Sequence, residues 1–179
     1  MQPKELFQFC PRCGASRSSD NQRQSPLVCK ECGLVFFFNP TVASAGFIFD
    51  QRGRVLFIRR AKDPGAGKLG VPGGFIDFGE TAEEGYRREV REEVGIEIDQ
   101  LRFLGSFINS YPYKEVTYPV VDLYFTAVAV NPNEAIPLDA VAGIEWRLPT
   151  DVKDDEIAFA SLRAAIAALR CENFPVNRN

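Results

Sequence analysis

Two Cys-x-x-Cys pairs, Cys10/Cys13 and Cys29/Cys32, stand fifteen residues apart. This spacing constrains the first forty residues more tightly than any other feature constrains the chain. Two thiolates three residues apart grip one ion from a single tight turn, and a glycine after each pair, Gly14 and Gly33, lets the backbone fold back beneath the sulfurs. The pattern C-x2-C-x15-C-x2-C is a zinc signature. The alternatives are two disulfides or a redox pair, but cytosolic disulfides are rare and a redox motif has no reason to be duplicated. Four cysteine ligands leave no open position for water, so the expected zinc is structural and staples a ribbon too small to own a core. Arg12, Arg17, Arg23 and Lys30 lie in this stretch beside Asp20 and Glu31. That is a weak basic patch, which favours a scaffold over a nucleic-acid contact. Cys171 stands alone and reads as an ordinary thiol.

The 179 residues allow one ordinary core and one satellite. No apolar run approaches the ~20 residues that span a bilayer, and the first residues lack a basic flank followed by an apolar stretch. No membrane is therefore expected, and the cytoplasm is the expected location. A net charge of −3 argues against affinity built on many nucleic-acid phosphates. The sequence contains 0 histidines. A Ser-His-Asp triad, His-ligated zinc and an imidazole base are thus excluded, and the chemistry falls to carboxylates, thiolates, Lys or Tyr.

Leu34–Phe38 closes the ribbon and Asn39-Pro40 turns into the next domain. Val42–Phe49 and Arg54–Arg60 read as strands joined by a hairpin turn, followed by a glycine-rich loop from Gly65 to Gly74. Thr81–Val94 reads as a helix: Thr81 and Glu84 make a capping box, Tyr86, Val90 and Val94 form a buried stripe, and Gly95 stops it. Leu101–Ile108 and Val116–Val130 are expected strands with an aromatic loop, Tyr111-Pro112-Tyr113, between them. A short strand, Gly143–Leu148, and a terminal helix, Ala158–Leu169, complete a sheet with helices on it.

On the Thr81 helix, Glu89, Glu92 and Glu93 are spaced by three and four and project from one arc, with Gly85 one turn earlier leaving room above them. Clustered carboxylates repel unless a cation lies between them, and hard oxygen donors suit Mg²⁺ or Mn²⁺. Glu80 can add a ligand. The alternative is a solvated helix with Glu83–Arg87 and Glu84–Arg88 ion pairs. It accounts for the first half but not for acids in the last turn, where the helix dipole disfavours them.

Gly74-x5-Glu80-x7-Arg88-Glu89-Val90-x-Glu92-Glu93-x-Gly95-Ile96 resembles the Nudix box, G-x5-E-x7-R-E-U-x-E-E-x-G-U with U apolar, at every fixed position. Leu69-Gly70-Val71-Pro72-Gly73-Gly74 is similar to the family's approach to the box, with Leu69 where many members have Trp. A four-cysteine ribbon ahead of the domain is similar to the arrangement in NADH pyrophosphatase relatives. The resemblance implies an α+β fold, a Nudix-like α/β/α sandwich with a mixed sheet, preceded by a small β zinc ribbon. Residues 1–38 would form the ribbon and residues 39–179 the hydrolase domain. It further implies Mg-dependent hydrolysis of a nucleoside diphosphate linked to another moiety. Glu89 and Glu93 would be the principal Mg ligands, Glu80, Glu92 and the Gly73 carbonyl would complete the set, and Arg88 would hold a glutamate in place. The general base would be Glu92, Glu115 or Asp139.

The box does not choose the substrate. NADH pyrophosphatases carry S-Q-P-W-P-F-P-x-S after the box, and Ser110-Tyr111-Pro112-Tyr113-Lys114-Glu115 agrees only at Ser110 and Pro112. Pro112 also fits the spacing of ADP-ribose pyrophosphatases. A nucleotide such as ADP-ribose, NADH or FAD is expected. Tyr111 or Tyr113 would stack on adenine and Arg59 or Arg60 would meet phosphate, whereas the bland reading of the tyrosines is lid or homodimer packing. The contrasting class is a nucleotide-sensing regulator that binds nucleic acid through the ribbon.

Overall fold

The computed structural model describes residues 1–17 and 25–171. Arg23 and Asp20 lie outside them. The chain divides into two compact units, one of Met1–Thr41 with Ser110–Val120, the other of Val42–Asn109 with Val121–Asn179.

The first unit holds the short helix α1 (Pro3–Leu6) and a two-stranded antiparallel sheet of β1 (Leu27–Val28) and β2 (Val35–Phe36). Its small interior is Cys10, Leu27 and Cys29, with Phe7, Leu34 and Phe38 against them. Burial here is too slight to hold such a unit in place without another tie.

The second unit is a seven-stranded sheet with a helix on each face. Its strands are β3 (Thr41–Phe49), β4 (Val55–Arg60), β5 (Leu69–Gly70), β6 (Gly73–Phe75), β7 (Ile98–Tyr113), β8 (Val116–Ala129) and β9 (Val141–Arg147), of which Thr41 in β3, Ser110–Tyr113 in β7 and Val116–Val120 in β8 are counted with the first unit. The order is β5-β4-β3-β8-β7, with β6 on β3 and β9 on β4. Alternation along the central strands explains the layers. Phe47, Phe57 and Tyr124 face one way and pack under α3 (Ala160–Cys171) through Leu162, Ile166 and Leu169. Their neighbours Ile48, Leu56, Ile58 and Phe125 face the other way, under Tyr86, Val90 and Val94 of α2 (Ala82–Val94). Residues one apart in a strand point to opposite faces, so each strand serves two cores. The result is the expected α+β three-layer sandwich. Among the described residues no helix is long and apolar enough to cross a membrane.

The local signals of α2 are realised as read: Thr81 Oγ1 accepts from the Glu84 N–H, Glu84 reaches back to the Thr81 N–H, and Gly95 ends the helix. Three differences stand out. Glu84 is thus engaged as a cap, and Arg88 turns to Glu80, Glu89 and Glu92 rather than to Glu84. Tyr111 and Tyr113 are not in a loop: β7 runs through them to a two-residue turn at Lys114-Glu115. Tyrosine favours strands, and β7 is an edge strand, where Pro112 is tolerated. Finally, the connection after β8 folds onto the end of α2. Ile136, Leu138 and Asp139 donate backbone N–H groups to the carbonyls of Val94, Glu93 and Glu92, while Gly95 donates to Arg91.

Candidate active site

The carboxylates gather where β6 delivers the chain to α2. β6 pairs antiparallel with β3, Gly73 opposite Ala45 and Gly74 opposite Ser44, which sets the glycine turn against the helix. Arg88 organises the cluster. Its guanidinium grips Glu80 through two contacts, Nε to Oε1 at 2.8 Å and Nη2 to Oε2 at 3.1 Å. It also reaches Glu89 at 2.8 Å, Glu92 at 3.0 Å and the Phe75 carbonyl at 3.0 Å. One side chain therefore ties the turn before the helix to two of its later turns. The pairing holds the Glu80 carboxyl below its usual range, with the Asp77 N–H assisting.

Glu93 stands apart from Arg88. Its carboxylate accepts from the Gly73 N–H at 3.0 Å. Burial lifts it to about 8, with Glu89 and Asp139 adding to the rise against the opposing pull of that N–H and of Arg60. Burial also raises Glu89, against Arg88. Acids lifted in this way, despite Arg88 beside one and Arg60 near the other, would gain from a further cation, and their donors are all hard oxygens, the set that suits Mg²⁺ or Mn²⁺. The surroundings fit such an ion in two further respects: Ser44 Oγ and Tyr86 Oη are buried without a hydrogen-bond partner, and glycines keep the approach clear. A Cβ on Gly74 would lie 2.5 Å from the Glu89 carboxylate, and one on Gly85 would lie 3.2 Å from Glu80 Oε2.

The two turn glycines separate stability from chemistry. Gly73 has φ +151, and a Cβ there would meet the Ser44 backbone oxygen at 2.4 Å. Gly73→Ala is therefore expected to destabilise the fold by roughly 1–3 kcal/mol. At Gly74 the obstacle is the tip of a flexible glutamate, so Gly74→Ala is expected to keep its melting temperature but displace Glu89 and lower activity about tenfold or more. Thermal melts and turnover of both variants check this, and equal effects on both quantities would contradict it.

Other residues singled out in the sequence lie as follows. Arg59 pairs with Glu145 of β9 and donates to the Gly67 carbonyl at 2.7 Å. A register shift between Arg59 and Arg60 breaks the alternation. Arg60 donates to the Pro64 carbonyl at 2.7 Å and lies 4.9 Å over the Phe159 ring, near enough to the cluster to act on Glu93. Tyr111 and Tyr113 belong to the first unit, where Lys114 lies 5.5 Å over the Tyr113 ring. Sequence reasoning missed Ser44. Its signal was a hydroxyl at a buried position within an apolar strand, opposite Gly74.

In the first unit the four cysteine sulfurs lie within 4.8 Å of one another. Cys10 and Cys32 are 3.7 Å apart, and Cys13 and Cys29 are 3.6 Å apart. Sulfurs bonded to one tetrahedral zinc at about 2.3 Å stand about 3.8 Å apart, whereas disulfide sulfurs stand about 2.05 Å apart. The spacing fits a shared metal, and all four cysteines are free. The two halves repeat one turn: Gly14 donates to the Cys10 carbonyl and Gly33 to the Cys29 carbonyl, at φ 74 and 72. The Cys13 backbone N–H pulls the Cys10 thiol down, while Cys13 is pushed up by the neighbouring sulfurs against the Ala15 backbone, a crowding of thiols that a shared cation would relieve.

The profile of the NUDIX domain family matches residues 39–167. The chain belongs to that family. Among curated proteins this Nudix chain is 25% identical over 169 residues to a NAD-capped RNA hydrolase, NudC, of Vibrio vulnificus, covering 94% of the chain and 63% of the relative. It thus spans under two thirds of that relative's length. Among solved structures, a Nudix hydrolase from Nitrosomonas europaea aligns with TM-score 0.66 at 22% identity, covering 92% of this chain and 89% of that one. The Nudix domain of Shewanella oneidensis NrtR, solved with ADP ribose, aligns with TM-score 0.59 at 22% identity over 76% of this chain and 91% of that one. At these identities the structures speak for the fold.

Proposed function

We propose that the chain hydrolyses the pyrophosphate bond of a nucleoside diphosphate linked to another moiety, an adenine dinucleotide or ADP-sugar such as NADH, FAD or ADP-ribose. The observation that carries this reading is the gathering of four carboxylates at one turn: Glu80, Glu89 and Glu92 fastened by Arg88, with the half-buried Glu93 beside them on the Gly73 N–H. The names of the Vibrio relative and of the ADP-ribose complex point to the same class of substrate.

In this reading Glu89 and Glu93, with Glu80, Glu92 and the Gly73 carbonyl, hold Mg²⁺ or Mn²⁺. When bound, such an ion would neutralise the diphosphate and lower the pKa of a water. Arg88 positions Glu80, Glu89 and Glu92 so that they do not splay apart. Glu92, 52% exposed and steadied by Arg88, takes the proton as water oxygen bonds to phosphorus and the bridging P–O bond breaks. Two phosphate monoesters result, one of them a nucleoside monophosphate. Arg60 serves the phosphates, and Arg59 backs it from the same strand. Residues 1–38 form a ribbon around structural Zn, and residues 39–179 are the catalytic domain.

The test is a panel of NADH, ADP-ribose, FAD and NAD-capped RNA with Mg²⁺, scored by the mononucleotide released. Cleavage of at least one is expected at rates that vanish without divalent metal, and no cleavage of any compound would remove the proposal.

A further inference from the structure

The described residues of the first unit surround a cleft of about 400 Å³ that none of the catalytic groups enters. Phe7, Phe36, Phe37, Phe38 and Tyr118 wall it. Three of these rings brace one another, with centroids 5.1 to 5.4 Å apart between Phe7, Phe36 and Phe38. Phe37 stands 63% exposed. The rings thus form a fixed aromatic wall with one open face, in a cavity within the roughly 300–1,000 Å³ that small-molecule sites occupy.

The polar lining decides what such a wall would hold. Lys4, Gln2 and Asn39 line the cleft, and among the described residues no carboxylate does. The whole unit leans the same way. Its residues carry six cations (Lys4, Arg12, Arg17, Arg23, Lys30, Lys114) against four anions (Glu5, Asp20, Glu31, Glu115), although the chain as a whole carries −3. A purely apolar occupant would leave the ammonium and the two amides buried without partners, at a cost for each. A flat aromatic ring with hydrogen-bonding edges and an attached anion uses every part of the lining. Stacking, edge contacts from amides and a nearby cation together are the chemistry of single-stranded nucleotide recognition.

We infer that this cleft binds a nucleobase together with its phosphate, as a nucleotide site separate from the carboxylate cluster. The occupant is either a free nucleotide or one residue of a single-stranded RNA, and both present the same base, sugar and phosphate. The inference does not rest on the proposed hydrolysis.

The experiment uses the full chain carrying Glu93→Gln, so that binding is read without turnover. It is titrated at about 0.15 M salt with AMP and with a fluorescent oligoadenylate of about six nucleotides bearing a 5′-hydroxyl. Neither probe contains a pyrophosphate bond. Saturable binding is expected, weakened about 5- to 100-fold by Phe37→Ala, the loss of one stacking ring, and weakened also by Lys4→Glu. Both variants should keep the metal content of the parent, which reports an intact ribbon. Binding of the oligomer alone identifies the strand as occupant, while equal binding of AMP identifies the free nucleotide, and either supports the site. No saturable binding of either probe, or binding indifferent to both substitutions, overturns it. A negative result leaves the pyrophosphate panel untouched, because that panel reads a different unit of the chain.

Discussion

Glu93→Gln protein is expected to lose hydrolysis by about 10³-fold while its circular dichroism and thermal transition persist. The amide keeps the shape of the carboxylate and can still face the Gly73 N–H through its oxygen, so the fold has no reason to change. What is lost is one charged ligand at the centre of the site, and electrostatic stabilisation there is worth several kcal/mol. The same substitution has a signature without any metal. Burial lifts the Glu93 carboxyl to about 8 in the folded chain, from the ordinary 4.5 of a glutamate. Between those values the folded state binds more protons than the unfolded one, so stability of the metal-free protein falls as pH rises through this window. The full difference is on the order of 5 kcal/mol. In the variant this fall should disappear, and at pH 8 the metal-free variant should be the more stable of the two. Denaturant titrations at pH 5, 7 and 9 measure it. Equal pH dependence in both proteins would show that Glu93 is not the strained group, and near-normal turnover would remove it from the site.

Cys29→Ser is expected to release the ribbon's metal and unfold the ribbon. Structural zinc contributes about 10–16 kcal/mol to small folds of this kind, more than a whole small domain's net stability. The buried side chains available in exchange are Leu27 and the cysteines themselves. Metal content should fall from one ion per chain to none, and amide protection should vanish between Leu27 and Phe38, as read by hydrogen exchange. Retained protection with the metal absent would show that the aromatic packing of Phe7, Phe36 and Phe38 suffices.

Sequence legibility followed the range of the interactions. The Thr81–Glu84 cap, the Tyr86-Val90-Val94 stripe and the Gly95 stop lie within a turn or two of one another, where helical geometry fixes who meets whom. The cysteine ribbon was legible because four like ligands at metal spacing leave few arrangements. The clustering of the acids was readable only in part. Spacing placed Glu89, Glu92 and Glu93 on one arc, but the division of labour depends on a strand turn. Glu80 is brought back by Arg88, and Glu93 is drawn instead toward Gly73. Ser44 reaches the site only because β3 pairs with β6, a register that no local pattern specifies. The Tyr111-Pro112-Tyr113 segment read as a loop because proline punctuates turns, yet an edge strand has room for a residue without an N–H.

The segment from Ile136 to Asp139 carries a consequence for how this chemistry is tuned. The last four carbonyls of α2 each receive a backbone N–H, three from that segment and one from Gly95, so the negative end of the helix is muffled directly beneath acids that it would otherwise repel. Asp139 arrives on the same stretch and pushes the other way, raising Glu93. A short surface connection thus holds both a damper and a counterweight on the acidity of the cluster. A substitution there can shift the acidity of Glu93 while every residue of the box stays as it is.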